Sequence, residues 1–261
     1  MRLSGLANII GNSLAGGHHG AAAFTNLYST SYDGVDDYID CGDNDNLSFG
    51  DGSTDSPFSI SAWIKIPLGS TGFYICSKQR YDSPPSRDEY ALYISTVTGK
   101  ISLFLFDLDA FNRRGRITDA MSIIDEWFHV AATYNGVGGS SAQNGMKIYV
   151  NGVRSDTTDS TLNTYTAMHN TTEPFRIGAY TVGQISPPGN ADEVAIFNSE
   201  LSSGDITAIY NSGTPQSLDS YSSLVSWWRF EEGSGTTAAD SGTGGNNGTL
   251  INGVTFSTDV P

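Results

Sequence analysis

From Tyr32 onward, apolar and polar positions alternate with a period of two, the repeat of a strand whose two faces meet different surroundings. In FSISAWIKI, Phe58, Ile60, Ala62, Ile64 and Ile66 share one face, while Ser59, Ser61, Trp63 and Lys65 share the other. That pattern predicts a half-buried antiparallel strand with one aromatic on its wetter side. Tyr90–Ser95 and Ile101–Phe106 flank the turn dipeptide Thr98–Gly99 and predict a hairpin. Trp127–Tyr134 and Met146–Val150 predict two more strands, the second followed by Asn151–Gly152, a strong type I′ turn signal. Phe175–Tyr180, Val194–Phe197 and Leu224–Phe230 continue the series, and Thr249–Phe256 ends it. One helix is predicted, in LSSGDITAIYNSG, with Ser203 as cap, Asp205 in the first turn and Ile206, Ile209 and Tyr210 on one face; Gly213 stops it.

Between these elements the chain is polar. Thr214–Ser223 reads as a connector, and Glu232–Gly248 is so rich in Gly, Ser, Thr and Asn that it is either surface or tied to a ligand. No repeat recurs and no linker separates two cores, so residues 29–261 are expected to form a single sandwich, preceded by a flexible arm over residues 1–28. Asn8, Gly11, Asn12 and Ser13 interrupt what would be the apolar core of a signal peptide, which favours the arm. No apolar run is long enough to cross a bilayer, and no membrane insertion is expected. Cys41 and Cys76 are too few for a disulfide framework or a four-ligand zinc site, and both fall in strand-like contexts that predict buried free thiols.

Composition narrows the partners. Asp plus Glu number 28 against 13 Lys plus Arg, a formal charge of −15, which argues against nucleic acid as a partner. Asp supplies 21 of the 28 acids, and Asp belongs to turns and cation sites more than to helices. Aromatics at 11% separate the chain from disordered acidic tails.

The succession DGVDDYI (Asp33–Ile39), FSISAWIK (Phe58–Lys65), WFHVAATYNG (Trp127–Gly136), MKIYVNGV (Met146–Val153), FRIGAY (Phe175–Tyr180) and ADEVAIFNSELSSGDITAIYNSG (Ala191–Gly213) resembles the laminin G-like, concanavalin A-like lectin/glucanase domains. The resemblance implies an all-β fold, a two-sheet antiparallel β-sandwich or jelly roll with one short helix. In many members a segment like Ser223–Val254 precedes the DGVDDYI-like strand; here it follows the helix, so the chain resembles a circular permutant in which residues 223–256 complete the same core. The order also resembles laminin G-like virion proteins of marine phages.

Candidate chemistry falls in three groups. Asp33, Asp36 and Asp37 crowd one turn, and the ADEV motif adds Asp192; oxygen ligands converging in this way suit calcium, which is the expected cofactor, against the ordinary alternative of turn capping. Glycoside hydrolysis needs a close pair of carboxyl groups, and the seven Glu include none spaced with an Asp along a clear strand; Asp107 and Asp109 come nearest. No metalloprotease, nucleophile-elbow or dinucleotide motif is present, and His129 reads as a packed or hydrogen-bonded strand residue, so no catalytic residue and no enzyme activity are expected. The loop Cys76–Tyr90 and the segment after Phe106 bring Arg80, Tyr81, Asp107, Arg113, Arg114 and Arg116 forward as a ligand rim, the alternative being ordinary loop solubility. Trp63, Trp227 and Trp228 are expected in the core.

The function that follows is a non-catalytic lectin-like adhesion module in a phage virion structural or decoration protein. It would bind a glycan or cell-surface ligand, contact other virion proteins through the arm, and self-associate as a homo-oligomer. The alternatives are a secreted, extracellular calcium-dependent carbohydrate-binding protein and, less favoured, a glucanase.

Overall fold

The computed structural model describes residues 24–80, 87–121, 125–181 and 187–261. In chain order the strands are β1 (Ser29–Tyr32), β2 (Tyr38–Asp40), β3 (Phe58–Lys65), β4 (Phe73–Lys78), β5 (Asp88–Ser95), β6 (Lys100–Thr118), β7 (Trp127–Tyr134) and β8 (Met146–Val150). There follow β9 (Val153–Arg154), β10 (Asp156–Leu162), β11 (Arg176–Gly178), β12 (Gly189–Phe197), the helix α1 (Ser203–Tyr210), β13 (Leu224–Trp228), β14 (Thr237–Ala238), β15 (Gly248–Ile251) and β16 (Thr255–Ser257). Every pairing is antiparallel, and the strands form two eight-stranded sheets. One runs β16-β1-β12-β3-β7-β8-β9 with β13 also on β12; the other runs β10-β6-β5-β4-β11-β2-β15-β14. This is the expected β-sandwich, with two short 3₁₀ turns (Asp45–Leu47 and Gly139–Gly145) and one α-helix among the described residues.

The alternation read from the sequence builds the core. Phe58, Ile60, Ala62 and Ile64 of the first sheet meet Tyr90, Leu92, Ile94, Ile101, Leu103 and Leu105 of the second in one cluster. Val225, Trp228, Phe230, Ala238, Leu250 and Val254 join that cluster, so the C-terminal segment packs into the same interior. β1 and β16 pair side by side (Thr30↔Phe256). Cys41 and Cys76 are buried free thiols.

Three local expectations are corrected. β3 is buried on both faces, because α1 and the chain after it cover the Ser61 and Trp63 side; Trp63 stacks on Tyr210 at 5.9 Å. The helix is capped by Ser202, not Ser203: Ser202 Oγ accepts from Asp205 N–H and the Asp205 carboxylate accepts from Ser202 N–H, a capping box. The segment after Phe106 is strand rather than loop. β6 doubles back so that Ile101 N–H donates to Thr118 Oγ1 and its returning half pairs with β10.

Residues 24–28 of the predicted arm are packed on the body; residues 1–23 lie outside the described residues. Phe24 stacks on Trp227 at 6.2 Å, Arg229 spans both rings, Asn26 donates to Asp192, and the Leu27 and Tyr28 amides donate to Glu231.

Candidate functional site

On the second sheet, the face away from the core carries a cluster of rings. β4, β5 and β6 put Phe73, Ile75, Leu92, Leu103 and Leu105 inward, which by the two-residue period turns Tyr74, Ala91, Tyr93, Phe104 and Phe106 outward. Tyr93 stacks on Tyr74 at 5.3 Å and on Phe104 at 5.9 Å; Tyr180 meets Tyr74 at 5.0 Å, and Phe106 lies 6.1 Å from Phe104. Ala91, the small residue among them, leaves a depression. The resulting cleft of about 140 Å³ is lined, among the described residues, by Tyr74, Gln79, Ala91, Tyr93, Phe104, Phe106 and Arg113.

Two features hold this cleft in shape. The returning half of β6 crosses Phe104 at Gly115, where a Cβ would stand 2.4 Å from the ring; only glycine admits so close an approach. Arg113 then lays its guanidinium 4.8 Å above the Phe104 ring. At the other wall, residues 78–80 rest on buried charges. Lys78 Nζ is bound by Asp43 at 2.8 Å and Glu89 at 3.4 Å, Arg176 pairs with Glu173 at 2.6 Å and donates to Gln79 O, and Asp88 accepts from Arg80 N–H at 2.7 Å. Burial raises the Glu89 carboxyl above its ordinary range, against the lowering effect of Lys78 and of Thr171. Fixed buried charges of this kind position the chain segment that ends the cleft.

Of the residues expected at a ligand rim, Arg113 lies in the cleft and exposed Arg80 follows Gln79 at its edge; Tyr81 lies outside the described residues. Arg114 is buried and donates to the carbonyls of Ser140, Arg113, Leu162 and Asn163. Arg116 is paired with Asp156 at 2.6 Å and with Asp159. Asp107 accepts from Thr166 N–H at 2.9 Å and from His169 Nε2 at 3.0 Å, fastening the loop before β11. Arg114, Arg116 and Asp107 are thus engaged in holding the fold.

The acids expected to bind calcium are similarly employed. Asp33 Oδ1 accepts from Val35 N–H, and Asp37, fully buried, accepts from Asp33 N–H; both are turn contacts. Asp36 is half-buried; its carbonyl, not its carboxylate, accepts from Asn252. Asp192 does lie beside β1, at the bulge where β1 and β13 meet the same edge of β12, and its oxygens accept from Asn26 and from Glu193 N–H. Among the described residues no three His, Cys, Asp or Glu side chains are grouped so as to hold a metal ion.

Sequence reasoning missed the cleft itself and one buried pair. Ser61 Oγ and His129 Nε2 lie 2.8 Å apart, but under α1 and beside the stacked Trp63 and Tyr210 rings, where burial lowers the His129 pKa to about 3. Both side chains are closed off from solvent, His129 at 0% and Ser61 at 2% exposure. The signal for the cleft was present in ISLFLFDL, where apolar residues occupy both faces and leave Phe104 and Phe106 without an inward place.

Residues 33–207 match the family profile described as the concanavalin A-like lectin/glucanases superfamily. No curated protein matches the chain. Among solved structures, a Bacteroides ovatus protein named as a candidate carbohydrate-binding protein is similar over 90% of this chain and 60% of its own, at 17% identity and a TM-score of 0.57. The ligand-binding domain of botulinum neurotoxin serotype D, solved with N-acetylneuraminic acid, is similar over 74% of this chain and 43% of its own, at 20% identity and a TM-score of 0.49. The chain therefore spans less than two thirds of either, and the first likeness is one of fold.

Proposed function

The chain belongs to the concanavalin A-like lectin/glucanase superfamily, and from that premise we propose that it is a non-catalytic carbohydrate-binding module serving adhesion. The observation that carries the proposal is the cleft on the outer face of the β4-β5-β6 sheet. A sugar presents apolar C–H surface and a rim of hydroxyls, and the cleft offers the complement: a floor of Ala91, Phe104 and Phe106, lined further by Gln79, Arg113, Tyr74 and Tyr93. Hydrolysis would need two carboxyl groups facing each other across the bound sugar, and no carboxylate is among the described residues lining the cleft. The Bacteroides ovatus protein, as named, accords with the same reading.

A glycan array on the purified protein, run with calcium and again with chelator, tests the proposal. Binding is expected, and Tyr93→Ala is expected to weaken it at least about tenfold, ~1.4 kcal/mol, in a protein that still unfolds cooperatively. A folded protein that binds no glycan in either buffer would overturn the reading.

A further inference from the structure

We propose, resting on the carbohydrate-binding reading above, that the cleft takes one terminal sugar unit and not an internal stretch of a polysaccharide. Its volume of about 140 Å³ is well below the roughly 300–1,000 Å³ typical of clefts that enclose a larger ligand. The arrangement of the rings limits it further. A chain-binding face needs ring faces free at successive positions, so that consecutive units each find a platform. Here the rings are spent on one another: Tyr93 lies between Tyr74 and Phe104, and Tyr180 occupies the flank of Tyr74.

Among the described residues, neither the returning Arg113–Thr118 half of β6 nor β10 carries an aromatic ring. On the β6-β10 side the positions that follow Arg113 on the outward face are Gly115 and Ile117, and Ile117 packs against the Phe104 cluster, so no second ring platform follows there. Phe104 and Phe106 are only 6% and 3% exposed, so they form a floor one ring wide at the bottom of the depression instead of a surface along it. The polar groups are set for a single unit as well. Gln79 and Arg113 stand at the walls of the same depression and can reach hydroxyls of the sugar lying on that floor. A unit inserted in this way leaves the rest of a glycan outside, so the site is specific for an end.

Binding is measured by calorimetry for the methyl glycosides of glucose, galactose, mannose, fucose, N-acetylglucosamine and glucuronic acid, and for tetrasaccharides ending in each of the same units. For whichever unit binds, the glycoside is expected within about threefold of its tetrasaccharide, since the added units make no contact. A tetrasaccharide more than about tenfold tighter than its glycoside would overturn the terminal-unit inference and leave the carbohydrate-binding reading standing. Absence of binding by every probe and on the array would instead overturn that reading, and the inference with it. Ala91→Leu fills the floor and is expected to abolish binding of both probe sizes while melting as the parent does; retained binding would place the ligand elsewhere and overturn the inference. Should Ala91→Leu fail to fold, Gln79→Ala removes a wall amide and serves in its place, with at least about tenfold weaker binding of the glycoside expected.

Discussion

At the scale of single residues, the least comfortable groups are Asp192 and Glu193, adjacent buried carboxylates at the bulge of β12. Glu193 sits at φ +50, a conformation few side chains adopt; its Oε2 accepts from Trp227 Nε1 at 2.5 Å, and its Oε1 stands 3.7 Å from Arg229 Nε. Burial, and then the charge of Asp192, raise the Glu193 carboxyl well above its ordinary range, with Arg229 opposing and Glu231 adding to the rise. The folded state therefore holds the proton more tightly than the unfolded chain. The stability this contributes is present at pH values below the unfolded carboxyl pKa of about 4.3 and is lost as pH rises through the folded value. Glu193→Gln keeps the acceptor for Trp227 without the charge. It is expected to raise stability at pH 7 on the order of 1 kcal/mol and to approach the parent's at pH 4, read from urea unfolding at the two pH values. A variant less stable than the parent at pH 7 would mean that attraction to Arg229 outweighs burial. The motif ADEV showed these acids in the sequence, but their burial depends on Asn26 and Arg229 arriving from opposite ends of the chain, and no local pattern carries that.

Elements were legible where one surrounding decides the pattern and obscure where two compete. The inward face of β3 followed from alternation alone, because a single sandwich interior receives it. The outward face of β3 did not: Ser59, Ser61 and Trp63 look like a wet face, yet α1 lies over them with Ile206 and Ile209 buried. The capping box was written in Ser202–Asp205, with the acid three residues after its serine, and choosing Ser203 overlooked that spacing. Ser202→Ala should cost about 1 kcal/mol in thermal or urea unfolding, since two backbone or side-chain partners are lost at one helix end. A cost near zero would mean that tertiary packing alone holds α1. The hairpin within β6 was hidden for a different reason. FNRRGR carries three arginines and a glycine, the composition of a loop, but Arg114 and Arg116 are consumed by carbonyls and by Asp156 and Asp159, while Gly115 makes room for Phe104. The candidate cleft is built by that return strand, so mistaking the strand for a loop also concealed the cleft.

For the whole molecule, the order of segments decides what the chain can lose. β13 and β16 enter the first sheet, β14 and β15 the second, and between them they bring Trp228, Phe230, Leu250 and Val254 into the shared interior. Trp228 stacks on Phe175 at 5.2 Å and its Nε1 donates to Asn246 O, so the glycine-rich stretch over 232–248 is tied down by the core it crosses. Composition alone reads that stretch as surface or as tied to a ligand; its anchoring to the core follows from tertiary contacts that a window of sequence does not contain. Removal of residues 223–261 is therefore expected to destroy cooperative folding. It would expose the β12 edge at Val194–Phe197 and the β2 edge at Tyr38–Asp40, and would leave a cavity where two large rings now pack. Lost near-UV circular dichroism and aggregation on expression of residues 1–222 are the expected readouts. Had this segment been an appended unit, residues 1–222 would melt cooperatively with the parent's midpoint, and that outcome would show that the sandwich closes without its C-terminal strands.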